Sequence, residues 1–394
     1  MLDNVSRGSN RVRQYNIKKL YDLIRKNEGI SRAELTKLIN LTPTSVSKII
    51  SLLLADGLVS ENGVITDGSV GRRAIQLSIV PDRVLTIAVS VDVGRISGAV
   101  VNIAGSIQRQ TERVLPEQFS FDVGIDAIYY IIKELYDGLD DTTRENLVGI
   151  GISVPGRIDK NRGIVVLSPQ LGWNDCFLIS RLRERFKDDV PIYLENNVKA
   201  EAEAECIFGT AGNKHSAVVV DIGSGLGAAY ICNGRVQGGF HDSMGEIGHI
   251  LVGSNGARCS CGRYGCLRTH IAISSIEERT GISIEKAVSS ARHGDGPCRM
   301  ILDEAVKYLG MWLANLINLY DPEAIYIGGG ILCAWPEFFG RVRDEYKKYM
   351  WKALEGEKYE ILETTMSAVN SPLVSASAIT FYRYLLTEVQ ISDN

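Results

Sequence analysis

At 394 residues the chain is too long for one ordinary domain and points to two or three, and its 45% hydrophobic content can build substantial cores. No apolar run approaches the length of a bilayer span, and the N-terminal MLDNVSRGSNRVRQ lacks the apolar region of a secretory signal, so a cytoplasmic protein with no membrane partner is expected. The net charge of −4 conceals an asymmetry: residues 1–80 carry twelve Lys and Arg against seven Asp and Glu, and the remainder carries 31 against 40. A basic head on an acidic body suits the head to an anionic polymer.

From Val12 to Asn27 apolar residues recur at helical spacing, and Gly29 ends the helix. Ser31 with Glu34 forms a capping box for a second helix running to Asn40. After a Leu41-Thr42 turn, Pro43 opens a third helix with an apolar stripe through Val46, Ile49, Ile50, Leu53 and Leu54. Two short helices across a tight turn make a helix-turn-helix. Thr42, Thr44, Ser45, Ser47 and Lys48 offer small hydroxyls and one cation that can approach phosphates and base edges, and Arg32 joins them as a candidate DNA contact. Residues 58–79 read as two strands around TDGSVGRR, a wing whose Arg72 and Arg73 can enter a minor groove. The alternative for this head is a plain three-helix bundle for protein contacts.

At Val84 the texture changes to that of an α/β body. Strands at 148–155, 191–196, 216–223 and 324–330 alternate with helical patterns, among them the alanine- and glutamate-rich VKAEAEAECIFG and the long amphipathic stretch 299–319. Two strands end alike, at Asp92 and Asp221, which suggests duplicated lobes facing one cleft. Of the eight cysteines five are scattered, but Cys259, Cys261 and Cys266 share one glycine-punctuated loop with His249 ten residues upstream. Three thiolates and an imidazole can close a tetrahedron around Zn2+, a structural site with no open position; the alternative is reduced cysteines in a core.

Several segments together carry a resemblance: GISVPGRID (151–159), SPQLGW (168–173), LENN (194–197), DIGSGLGAA (221–229), EIGH, CSCGRYGC and GGG (328–330), behind a winged head. In that order they resemble the ROK family of repressors, open reading frames and sugar kinases, in its transcriptional-regulator branch. The resemblance spans residues 12 to about 385. It implies an α/β, actin-like (ribonuclease H-like), two-lobed sugar-kinase fold preceded by an all-α, winged-helix DNA-binding domain. Residues 1–80 would be the head and 81–394 the ROK domain, with 81–195 plus the C-terminal helix as first lobe and 196–370 as second lobe carrying the zinc loop.

By the same resemblance Asn196, Asn197, Glu246 and His249 face sugar hydroxyls, His249 using its other ring nitrogen for zinc; singly, Asn196 or Glu246 can equally be turn or cap residues. Family kinases place a catalytic aspartate at the position of Asn197, and an amide cannot be a general base. Their first phosphate loop resembles D-x-G-G-T, where this chain has Asp92-Val93-Gly94-Arg95-Ile96. The second loop, from Gly223 to Gly227, stays glycine-rich, which a plain strand-to-turn connection would also explain. Arg268 stands where the family carries a sugar-binding glutamate, and a five-donor cation there favours an anionic or phosphorylated effector, unless it turns away to pair with a body carboxylate. The expectation is a regulator, a repressor acting on double-stranded operator DNA as a homodimer or homotetramer, with a carbohydrate effector, structural Zn2+ and no catalytic residue. The rival is an ATP-dependent carbohydrate kinase with an appended head.

Overall fold

The computed structural model describes residues 2–65, 74–253, 256–354, 356–366 and 371–386. Helix Leu2–Lys26 begins well before Val12, the first residue of the apolar pattern. The Ser31 hydroxyl accepts from the Glu34 N–H, and the Glu34 carboxylate accepts from the Ser31 N–H at 2.8 Å, closing the expected capping box on helix Arg32–Leu38. Such a cap contributes about 1 kcal/mol. Thr42 caps helix Pro43–Ala55 through the N–H of Ser45, with Pro43 where its missing N–H costs nothing. The two helices meet at 119°, the geometry of a helix-turn-helix. Strands Val59–Ile65 and Ala74–Ile79 pair antiparallel, and Ile30–Ser31 adds to the second of them. Arg72 and Arg73 lie outside the described residues.

Head and body share a core. Leu20, Ile24, Val46, Ile50 and Leu77 belong to the same buried cluster as Val84, Ala88, Ala99, Ile207, Phe381 and Leu385 of the body. Lys18 of the first helix lies 5.6 Å from the ring centre of Tyr384 on helix Ser371–Leu386, adding a cation–π contact to that junction.

The body holds two five-stranded sheets of the same plan. In the first, Leu85–Asp92, Arg95–Asn102 and Ile107–Val114 are antiparallel neighbours, Leu147–Val154 runs parallel to Leu85–Asp92, and Ile192–Asn196 runs parallel beyond it. In the second, Ser216–Ile222, Leu226–Cys232 and Arg235–Gln237 repeat the antiparallel set, with Ala324–Gly328 and Glu360–Glu363 as the parallel additions. Asp92 and Asp221 therefore occupy equivalent strand ends, one per sheet. Helix Phe121–Asp137 covers the first sheet with Ile125, Ile128, Ile132 and Leu135, and helix Gly296–Tyr320 covers the second with Leu309, Leu313 and Ile317. Between the sheets, helix Asn197–Ile207 packs along helix Ser371–Leu386. No single described helix is long and apolar enough to cross a membrane.

Candidate binding cleft and metal centre

A cavity of about 1060 Å³ opens between the two lobes, lined by Asp92, Gly156, Asn196 and Asn197 on one side and by Asp221, the Gly223–Gly227 turn, Glu246, His249 and Arg268 on the other. Parallel strand ends deliver Asp92, Gly156 and Asn196 to the first wall and Asp221 to the second, the usual place for a ligand in an open α/β sheet, while Glu246, His249 and Arg268 come from the segments that follow strand Arg235–Gln237. Five of these residues, Asn196, Asn197, Glu246, His249 and Arg268, are candidate effector contacts read from the sequence, and they meet here although 72 positions of chain separate the first from the last.

The metal candidates converge as well. One ligand atom from each of His249, Cys259, Cys261 and Cys266 lies within 4.8 Å of every other. His249 Nδ1 is 3.6 Å from Cys259 Sγ, and Cys261 Sγ is 3.6 Å from Cys266 Sγ. The loop can turn this tightly because Gly262 and Gly265 adopt φ of +89° and +76°, and a Cβ on Gly265 would sit 1.9 Å from the Gly253 carbonyl oxygen. The backbone N–H of Arg263 holds the Cys261 thiol down at about 6, so a thiolate is available at neutral pH. Three sulfurs and one imidazole nitrogen in this arrangement fit a metal ion. With Nδ1 on the sulfur side, Nε2 is the ring nitrogen left for the cleft.

Asn196 has a different task from the one expected. Its Oδ1 accepts from the N–H groups of Val198 and Lys199, capping helix Asn197–Ile207, and its Nδ2 donates to the Gly156 carbonyl at 2.8 Å and to Asn197 Oδ1 at 3.2 Å. Those four bonds fill the capacity of an amide, so Asn196 lines the cleft as a fixed support and spends its polar atoms inside the chain. Arg268 donates to the Ser260 hydroxyl at 3.0 Å, and among the described residues no carboxylate lies within ion-pairing distance of it. The ion pair that would have explained Arg268 as a surface residue is absent from that set.

At the far end of the cleft, burial pushes the Asp221 carboxyl up to about 6, with the Asp92 charge adding to the effect, and Glu201 beside them is raised well above the ordinary range by burial first and Asp221 second. The Asp92–Arg95 pair is closed by only Val93 and Gly94, with Gly94 at φ +70°, and Asp92 Oδ1 accepts from the Val93 N–H at 2.7 Å. That amide is spent on the chain itself. Sequence reasoning missed Lys160, Lys199, Asp242 and Arg383, which with Glu195 and Glu203 form a charged network beside the cleft, Lys199 and Asp242 lining it. The signal was Lys199, a cation in the first turn of a helix otherwise carrying glutamates.

On the head, Thr42, Thr44 and Lys48 are exposed and Ser45 and Ser47 partly so. Thr42 and Ser45 hydroxyls bond each other at 2.9 Å. Arg32 pairs with Glu61 of the first wing strand at 2.8 Å, so reaching a phosphate requires it to leave that partner.

Residues 86–380 match the sequence profile of the ROK family. The chain belongs to the ROK family. Residues 13–60 match a winged helix-turn-helix DNA-binding profile, which places this member among those with a head. Over 383 residues it is 31% identical to the xylose repressor of Bacillus spizizenii, covering 95% of this chain and 97% of that protein. Over 390 residues it is 30% identical to the N-acetylglucosamine repressor of Escherichia coli O157:H7, covering 93% and 91%. In structure it is similar to a ROK family transcriptional regulator, a homologue of the Escherichia coli MLC protein, with a TM-score of 0.77, 26% identity and 95% and 98% coverage. The ROK glucokinase of Streptomyces griseus, at 23% identity, a TM-score of 0.64 and 74% and 98% coverage, shares the fold of the body. The actin-like ROK body behind a winged head is thus the architecture that the motif order implied.

Proposed function

We propose that this chain is a DNA-binding repressor of carbohydrate-metabolism genes, released or recruited by a sugar or sugar derivative held between the lobes, and that it does not phosphorylate that sugar. The observation that carries the reading is the pairing of a helix-turn-helix head with a kinase-like cleft whose base position is Asn197. An amide cannot take the proton of an attacking hydroxyl, and the turn after Asp92 carries Arg95 and Ile96 where the family's phosphate loop has glycine and threonine. The relatives named for xylose and N-acetylglucosamine repression support a carbohydrate effector.

Within this reading Asn197, Glu246 and His249 recognise sugar hydroxyls, Asn196 holds Asn197 in place, and Arg268 takes an anionic or phosphorylated group on the effector. Zn2+ is the metal that best suits three thiolates and an imidazole, and its work is structural: it fixes His249 and the loop that brings Arg268 to the cleft. Thr44, Ser47 and Lys48 meet operator DNA, with Thr42 and Ser45 setting the start of the helix; Arg32, Arg72 and Arg73 add phosphate or minor-groove contacts. The repressor works in the cytoplasm as a homodimer or homotetramer on a palindromic site, since two-fold operators mirror two-fold proteins.

The test is a gel shift on the DNA upstream of the chain's own coding region, repeated with D-xylose, N-acetylglucosamine and their phosphates. One compound should shift operator affinity at least tenfold. Sugar-dependent ATP turnover above background in a coupled assay would sink the reading.

A further inference from the structure

We propose that Lys160 and Asp242 clasp the two lobes beside the cleft, and that the clasp positions the segment delivering Glu246 and His249. Lys160 sits on the turn between strands Arg157–Asp159 and Ile164–Ser168 of the first lobe. Its Nζ reaches across to Asp242 Oδ1 at 3.1 Å while remaining 3.8 Å from Glu195 Oε2. Asp242 belongs to the second lobe, in the stretch joining strand Arg235–Gln237 to Glu246.

This stretch is built to respond as a unit. Glycines stand at both ends: Gly245, at φ of +101°, tolerates no side chain because a Cβ would meet the Ala228 carbonyl oxygen at 1.8 Å, and a Cβ on Gly238 would push on Asp242 Oδ1 from 2.0 Å. The Met244 N–H donates to the Gly238 carbonyl at 3.0 Å, closing the loop on itself. Asp242 holds φ of +52°, a left-handed conformation that an aspartate adopts only at some cost. Two lysines offset that cost, Lys160 at the carboxylate and Lys199 at the backbone carbonyl.

Lys160 is itself anchored. Glu195, only 2% exposed, lies between Lys160 and Arg383, and Arg383 also pairs with Glu203 at 3.3 Å. A partly buried pair with fixed neighbours loses little side-chain entropy on forming, and removing one member leaves the other facing unmatched charge. Lys160 is therefore a positioning residue for the second-lobe wall. The consequence for effector affinity rests on the regulator reading above, whereas the clasp stands independently of it.

Hydrogen exchange on the full-length protein without any sugar separates the two. Lys160→Met and Asp242→Asn should each speed exchange of amides in 238–246, Met244 included, by about tenfold, with head and first-sheet peptides unchanged. In the double variant the two effects should fall short of multiplying, because both singles remove the Lys160–Asp242 contact, while Lys160→Met alone also frees Glu195 and Asp242→Asn alone also weakens the pair with Lys199. Lys160→Arg should restore slow exchange. Wild-type exchange over 238–246 in Lys160→Met, or effects that multiply in the double variant, would overturn the clasp whether or not a sugar is ever found to bind.

Discussion

Asn196 donates from Nδ2 to Asn197 Oδ1 across 3.2 Å, and that bond decides which end of Asn197 is left for the cleft. The engaged atom is the oxygen; the free end is the Nδ2 donor. Where the kinases of this family need an acceptor for a hydroxyl proton, this chain presents N–H groups. Restoring the acid should still fail to restore chemistry, because the first-lobe turn carries Arg95 and Ile96 where the family's D-x-G-G-T loop has glycine and threonine. Asn197→Asp is expected to give no sugar-dependent ADP release above the wild-type background in a coupled assay. Turnover rising by a hundredfold or more would show that the base alone had been missing.

Arg268 has one described partner, the Ser260 hydroxyl, and lines the cleft. A charged hydrogen bond to an anionic group is worth about 1.5–3 kcal/mol, or roughly 10- to 100-fold in affinity. Titration calorimetry of Arg268→Met should show a loss of that size for a sugar phosphate and a change of less than about threefold for the neutral sugar. Equal losses for both would assign Arg268 to the fold of the loop.

The metal centre should matter for stability more than for any reaction. Cys266 is fully buried and Cys259 nearly so, so the unliganded loop would leave polarisable sulfurs packed without the ion that gathers them. Cys266→Ser is expected to lower bound metal well below one equivalent per chain and to reduce the melting temperature by roughly 5 °C or more, an effect a strong chelator should reproduce. A variant with full metal content and unchanged melting would break the ligand assignment.

Much of this was legible because short-range chemistry fixed it. Ser31 and Glu34 announce a cap, Pro43 a helix start, and the Cys259–Cys266 spacing a metal loop; each signal lies within a few residues of the structure it makes. The position of Asn197 was readable by resemblance, and the hydrogen bonds that saturate Asn196 were not, since Gly156 lies 40 positions away in the chain. Helix Phe121–Asp137 went unassigned although Ile125, Ile128, Ile132 and Leu135 recur at helical spacing. Helix Asn197–Ile207 shows why composition misleads: alternating Ala and Glu usually marks a solvated surface, yet Glu201, Glu203 and Glu205 are all buried. Their partners, Thr364, Thr365 and Arg383, come from chain more than 150 residues later, and no local pattern points to them.

Asp221 makes stability depend on pH in a definite direction. Its folded carboxyl is pushed up to about 6 by burial and then by Asp92, above the ordinary aspartate range near 4. The folded state therefore holds more protons than the unfolded one between those values, and unfolding free energy falls as pH rises through that window. The contribution of Asp221 to the melting temperature, read as the difference between wild type and Asp221→Asn, should decline from pH 4 to 6 and level off above it. Asp221→Asn should remove this dependence and stabilise the protein at pH 7 by about 1–3 kcal/mol. A steeper decline in the variant would reverse the assignment.

The recognition helix Pro43–Ala55 carries one cation, Lys48, and no Arg, Asn or Gln. Bidentate reading of guanine or adenine therefore cannot come from an Arg, Asn or Gln on this helix, and its exposed Thr44 offers a hydroxyl and a methyl suited to thymine. Lys48, on a helix that otherwise presents small hydroxyls, has the chemistry of a phosphate contact. Lys48→Ala should weaken binding by a similar factor on operator and on unrelated DNA, and should lower the slope of log affinity against log salt by about one. Thr44→Ala should leave the salt slope alone and alter discrimination at one base pair by about 1–3 kcal/mol. If Lys48→Ala instead weakened the operator alone and left the salt slope unchanged, Lys48 would be reading a base, and the non-specific part of the affinity would have to come from cations elsewhere in the head.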